Sequence, residues 1–177
     1  MQPDSVDRHV AHWLPRLPHL DPVIEGIVTR MSVLTRYLKS HRRADLAERG
    51  LKQWEYDVLH YLGAVGPPHR VAPSLLAEWL DMHPATLTSR LDRMEEAGYI
   101  TRVHDPADRR RLLVAQTEKG HSVWRSAMNA VSGEEHAMVA VLSESERELL
   151  TGLLRRMVHA VEDDAKPLLP DWPNLGS

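Results

Sequence analysis

The sequence predicts a mainly α-helical protein interrupted once by a short two-stranded β-hairpin. Three observations carry this. Apolar residues recur at helical spacing through most of the chain. After Gly98 the period changes to two, in "YITRV" and "RLLVAQ". Helix start and stop residues punctuate the apolar runs: Asp21-Pro22, Gly66-Pro67-Pro68, Pro84, Gly98 and the Ser143–Glu146 pair.

Each element has its own justification. Asp4 or Ser5 can cap a short first helix carrying Val6, Val10 and Trp13, which Pro15 and Pro18 break. Asp21 caps a long helix in which Ile24, Ile27, Val28, Met31, Leu34, Thr35 and Leu38 recur at helical spacing, ending before Gly50. "QWEYDVLHYLGAVGPP" reads as a helix stopped by its glycine and prolines. "PSLLAEWLDMHPATLTSRLDRMEEAGYI" reads as two short helices broken at Asp81–His83. The hairpin follows, with Asp105-Pro106-Ala107-Asp108 as its turn. Thr117 then caps a helix to about Leu142, with a weak point expected at Ser132-Gly133. Ser143 and Glu146 form a capping box for the last helix, whose face carries Leu149, Leu150, Leu153, Leu154, Met157, Val158 and Val161. The tail "KPLLPDWPNLGS" is proline-rich and expected to be loose. Trp54 and Trp79 fall at core positions; Trp124 is left undecided by its spacing.

Composition narrows the function. The 177 residues suffice for a domain with a real core. The net charge of −3 means that any polyanion must meet a local basic patch. The absence of cysteine excludes disulfides, thiolate metal sites and a cysteine nucleophile. No apolar run approaches the ~20 residues of a membrane span, and the first residues lack a signal-peptide core, so a cytoplasmic protein is expected. No phosphate loop, nucleophile turn or catalytic carboxylate pair is present, so an enzyme is not expected. No cofactor is implied.

A helix–turn–helix followed by a basic hairpin is an arrangement that reads DNA. The second helix enters the major groove and the hairpin, or wing, reaches a neighbouring groove. At ~100° per residue, Leu87, Leu91 and Met94 share the core face of the second helix. Ala85, Ser89, Asp92 and Glu96 point away, with Thr86, Thr88 and Arg93 between. Small and hydroxyl residues in these first turns allow close approach to bases and phosphates. The candidate DNA contacts are therefore Ala85, Thr86, Thr88, Ser89 and Arg93 on the helix, and Arg109, Arg110 and Arg111 on the wing. Alternation along the second strand is expected to place Arg109 and Arg111 on one face and Arg110 on the other. Charge is polarised: residues 84–114 carry six arginines against five acids, residues 133–164 three against eight.

The stretch "LLAEWLDMHPATLTSRLDRMEEAGYITRVHDPADRRRLLVAQTEKG" resembles the winged-helix core of the multiple antibiotic resistance regulator (MarR) family. The string Asp-Pro-x-Asp-Arg-Arg, a strand, then Thr-x-x-Gly carries the likeness, which extends over roughly residues 5 to 164. The resemblance implies a winged helix–turn–helix over residues 51–117, dimerisation helices at 21–50 and 118–164, an extra N-terminal helix at 1–20 and a loose tail at 165–177. It implies a homodimer of interlocked terminal helices that binds a pseudo-palindromic duplex, by default as a repressor. It makes Arg110 the minor-groove arginine and Asp108 the residue orienting the wing loop.

Two residues suggest a switch. Arg90 lies ~60° from the core face of the second helix, and Asp57 on the shoulder of its own helix beside Tyr61. A half-buried Asp57–Arg90 pair would tie the recognition helix to the body, either as structure alone or as a switch. The extra N-terminal helix, Trp13, Asp57, Arg90 and Arg102 together resemble the urate-responsive branch of the family. In that branch an arginine holds an anionic purine and the tryptophan lines its pocket. The incoming charge disturbs the aspartate's pairing with the recognition-helix arginine, and DNA is released. A different phenolic or carboxylate ligand, or a metal ion at His9 and His12, is the alternative effector; a winged-helix module without DNA affinity is the alternative function.

Overall fold

In the computed structural model, residues 2–163 are described; the expected loose tail at 165–177 lies outside them. The helices are α1 (Ser5–Trp13), α2 (Pro22–Glu48), α3 (Gln53–Ala64), α4 (Pro73–Trp79), α5 (Pro84–Glu96), α6 (Glu118–Val139) and α7 (Glu144–Glu162). The strands are β1 (Arg70–Val71), β2 (Ile100–His104) and β3 (Leu112–Gln116). The chain forms two compact units, one up to Ala44 and one from Asp45 onward.

In the first unit the Asp4 carboxylate caps α1, accepting the N–H groups of Val6 at 2.8 Å and Asp7 at 2.9 Å. The Asp7 carboxylate in turn accepts the Asp4 N–H at 2.8 Å, completing a capping box. Arg30 of α2 then grips both acids, at 2.9 Å to Asp4 and 2.6 Å to Asp7. These bonds hold Asp4 below the ordinary carboxylate range, chiefly through the Asp7 N–H and then Arg30. Val6 and Val10 are the buried face of α1. Trp13, at the far end of that helix, is 39% exposed and packs edge-on against His9 and His12.

The second unit holds the core: Leu46, Val58, Leu59, Leu62, Leu76, Leu87, Leu91, Met94, Ile100 and Val114 are all fully buried. Leu87, Leu91 and Met94 thus form the inner face of α5, as the helical spacing predicts. Trp54 and Trp79 pack against this core. Trp124 is buried in it, its ring lying against Gly63 of α3, where a Cβ would come within 2.7 Å of the indole. Gly98 ends the helix–turn–helix at φ +72°, a conformation that favours glycine.

The hairpin gains a third strand. β1 pairs antiparallel with β3 (Arg70 opposite Ala115, Val71 opposite Val114), and β2 pairs with the other edge of β3, giving the order β1-β3-β2. Two residues are too few to show a period, so β1 left no mark in the pattern. α6 runs unbroken through Ser132-Gly133. A glycine inside a helix costs only ~1 kcal/mol, and buried Trp124, Ala127 and Val131 anchor the helix upstream. α7 begins at the Ser143–Glu146 capping box and buries none of its residues in the protomer.

Candidate nucleic-acid interface

α5 starts at His83, whose Nδ1 accepts the Ala85 N–H at 3.2 Å, with Pro84 in the first turn. Its inner face is fixed by the core, so its outer face is fixed too. Ala85, Thr86, Thr88, Ser89 and Arg93 are all exposed on it. The Thr88 hydroxyl donates to the Pro84 carbonyl at 3.0 Å, which leaves its oxygen facing outward as an acceptor. Small side chains at the start of the helix let a duplex approach the backbone closely.

The wing tip is built by its two aspartates. Asp105 accepts the Ala107 N–H at 2.9 Å, and Asp108 accepts the Arg110 N–H at 3.1 Å. The Asp108 carboxylate also meets the Arg110 Nε at 3.3 Å and the Arg111 Nε at 3.7 Å. His104 closes the loop through Nδ1, 2.8 Å from the Arg109 carbonyl. The three arginines lie in this loop, ahead of β3 at Leu112. Strand alternation therefore does not sort them, contrary to the expectation from sequence: all three are exposed, the Arg110 side chain by 92% and that of Arg111 by 75%.

The expected Asp57–Arg90 pair is not formed. Arg90 is half-buried as its position implies, but its guanidinium lies over the Trp54 ring, 5.2 Å from the centroid. The aromatic face takes the place of the carboxylate as partner for the cation. Asp57 accepts the Gln53 side-chain amide at 2.7 Å. It also lies near Tyr61, whose hydroxyl is pushed up by burial and then by the Asp57 charge.

Arg102 has the firmest set of partners. It projects from β2, and its guanidinium donates to Glu95 through Nη1 and to Asp92 at 2.6 Å through Nη2. Its backbone N–H donates to Glu95 as well, at 2.9 Å. Burial works against its charge, but the bonds to Asp92 and Glu95 prevail and hold its pKa above the usual arginine value. Helical spacing puts Asp92 on the outer face of the helix and gives Glu95 no role. The signal was a pair of acids at i and i+3, just before a glycine stop and an arginine-bearing strand. Trp13 belongs to the first unit and the other three residues of the switch set to the second. Among the described residues, no group of three or more His, Asp or Glu side chains is placed to hold a metal ion. No helix among them is long and apolar enough to cross a membrane.

An outward helix of small and hydroxyl residues, set beside an arginine-tipped hairpin on one core, defines a winged helix–turn–helix of the DNA-reading type. The sequence model of the MarR family matches residues 49–111. Over 153 residues the chain is 30% identical to the "HTH-type transcriptional regulator PecS" of Dickeya dadantii, covering 84% of this chain and 89% of that protein. It is 38% identical over 76 residues to the transcriptional regulator HosA of Escherichia coli, covering 43% of this chain and 56% of HosA. In structure it is similar to YusO of Bacillus subtilis, with a TM-score of 0.66 at 20% identity over 78% of this chain and 96% of YusO. It is also similar to a mutant of S. aureus MepR bound to an oligodeoxyribonucleotide, with a TM-score of 0.57 at 21% identity over 76% and 97% of the two chains. The chain belongs to the MarR family of winged-helix transcriptional regulators and is not an enzyme.

Proposed function

We propose that the protein binds a pseudo-palindromic duplex as a homodimer, represses transcription there, and is released by a small anionic ligand of the urate or purine class. The observation that carries the DNA part is the exposed Arg109–Arg111 tip, fixed by Asp108 beside the exposed Ala85–Ser89 face of α5. Phosphates supply most of the affinity of such a surface, and the helix face supplies the reading of bases. The ligand part is supported by the presence of Trp13, Asp57, Arg90 and Arg102 in one chain. The route through an Asp57–Arg90 ion pair has no support from the geometry, since Arg90 sits on Trp54.

The test is fluorescence anisotropy with duplexes from upstream of the protein's own gene, across a salt series and with urate. Affinity should fall steeply with salt, with a log–log slope of about −0.9 for each phosphate neutralised. Urate should lower DNA affinity and quench tryptophan fluorescence, with no oxidant or metal required. Affinity that stays flat with salt would sink the DNA reading. Unchanged fluorescence and DNA affinity with urate and its close analogues would sink the ligand assignment alone.

A further inference from the structure

We infer that Arg102, Asp92 and Glu95 form a latch that sets the wing against the recognition helix, with Arg102 as a positioning residue for DNA binding. The inference rests on the DNA-reading function above and deepens it. The latch makes three bonds between α5 and β2: backbone N–H to Glu95, guanidinium to Glu95, and guanidinium to Asp92. Both ends are anchored in the core. Glu95 follows Met94, which is fully buried, and Arg102 stands opposite Val114, also fully buried, in the β2–β3 ladder. The separation between the two DNA-contacting parts, the outer face of α5 and the Arg109–Arg111 tip, is thereby held at one value. A preformed geometry of this kind spares the ordering that binding would otherwise require.

The latch also governs charge. Asp92 lies on the exposed side of α5, one turn beyond Thr88 and Ser89. Two bare carboxylates on a helix that faces phosphates oppose binding. Arg102 cancels one of those charges and holds the other carboxylate by hydrogen bonds. Any small anion that captures the guanidinium must first displace both acids. It then frees the wing and uncovers the carboxylates together, and both changes weaken DNA binding. An anion that acts this way binds the unlatched state better than the latched one, which is what an effector requires.

The experiment uses the full chain and an operator duplex, with hydrogen exchange followed in β2. Arg102→Gln should weaken DNA binding roughly tenfold, the scale of lost charge-assisted hydrogen bonds. It should speed exchange across residues 100–104. Adding Asp92→Asn and Glu95→Gln to that variant should recover part of the affinity, because the bare charges are gone. Arg102→Lys, able to hold one acid at a time, should fall between wild type and Arg102→Gln. Loss of a merely structural arginine predicts no recovery in the triple variant. With urate as probe, the Asp92→Asn/Glu95→Gln double variant should bind it more tightly than wild type yet transmit it less to DNA. Wild-type DNA affinity in Arg102→Gln, or a triple variant as weak as the single, overturns the latch. The exchange measurement needs no DNA, so unaltered exchange in Arg102→Gln overturns the latch even when the duplex is the wrong operator. A wild type that binds no duplex overturns the DNA reading instead.

Discussion

At Gly120 the chain leaves no room for a side chain. A Cβ there would stand 2.0 Å from the Tyr99 carbonyl oxygen and 2.9 Å from its carbon. That carbonyl accepts the Thr117 N–H at 3.1 Å and the Thr117 hydroxyl at 3.0 Å, so it has no freedom to retreat. The Thr-x-x-Gly spacing thus has a physical cause: threonine caps α6, and glycine lets the end of the helix–turn–helix lie against its first turn. Gly120→Ala should destabilise the protein by at least the ~1–3 kcal/mol typical of overpacking, seen as a lower denaturation midpoint at unchanged slope. A midpoint within error of wild type would contradict the close approach. Arg110 is the opposite case. With 92% of its side chain exposed, Arg110→Ala should leave stability unchanged. It should weaken specific and non-specific DNA binding alike, and reduce the salt slope by about one if it neutralises a phosphate. A loss confined to one operator sequence would make Arg110 a base reader instead.

The elements were legible where a period or a cap declares itself. Asp4, Thr117 and Ser143 cap α1, α6 and α7, and Gly98 closes the turn after α5. Residues that depend on tertiary partners were not. β1 is two residues long and exists because β3 offers an edge, with the His69 carbonyl accepting the Gln116 N–H at 3.2 Å. Helical spacing puts Arg90 on the shoulder of its helix, and it is half-buried there. Its partner, the Trp54 ring, is not legible in the spacing, because helical angles locate a side chain but do not choose between a carboxylate and an indole face. The sequence carries no direct sign of the latch, because Glu95 and Arg102 meet only once α5 and β2 are packed. The junction of β1 and α6 carries a pH dependence of its own. His121, early in α6, lies 5.2 Å from His69 ring to ring, and its Nδ1 lies 3.3 Å from Gln116 Oε1. Burial, then His69 and Arg125, push its pKa below the usual histidine value of 6.5. The unfolded chain therefore takes up a proton at higher pH than the folded one. The stabilisation is complete above about pH 6.5 and is lost as pH falls from there toward the lowered folded pKa. Unfolding midpoints from pH 8 to 5.5 should decline across that window, and His121→Gln should flatten the decline. An equal decline in the variant would assign it to other groups.

At the scale of the whole molecule, the apolar faces of two helices support the proposed homodimer. α7 presents Leu149, Leu150, Leu153, Leu154, Met157, Val158 and Val161, each between 41% and 64% exposed. α2 presents Val23, Ile24, Ile27, Val28, Met31 and Leu34, between 38% and 68% exposed. Continuous apolar stripes of this length do not persist in water on a stable monomer; they mark an interface. A two-fold partner would cover them and set two recognition helices about 34 Å apart, one helical turn of DNA, which is why a pseudo-palindrome is the expected operator. Leu153→Glu/Leu154→Glu tests this without touching the DNA-reading surface. Since α7 buries nothing in the protomer, the second unit's core should stay intact, with helix content close to wild type. The two carboxylates would face an apolar partner with nothing to pair them, a penalty of several kcal/mol per buried charge. Sedimentation should then report a monomer at micromolar concentration. Operator affinity should fall by about 10² to 10⁴, the factor contributed when a second half-site is bound intramolecularly. Binding to a single half-site should be nearly unchanged, because each protomer keeps its helix face and wing. A variant that remains dimeric and binds the full operator as tightly as wild type would move the interface elsewhere.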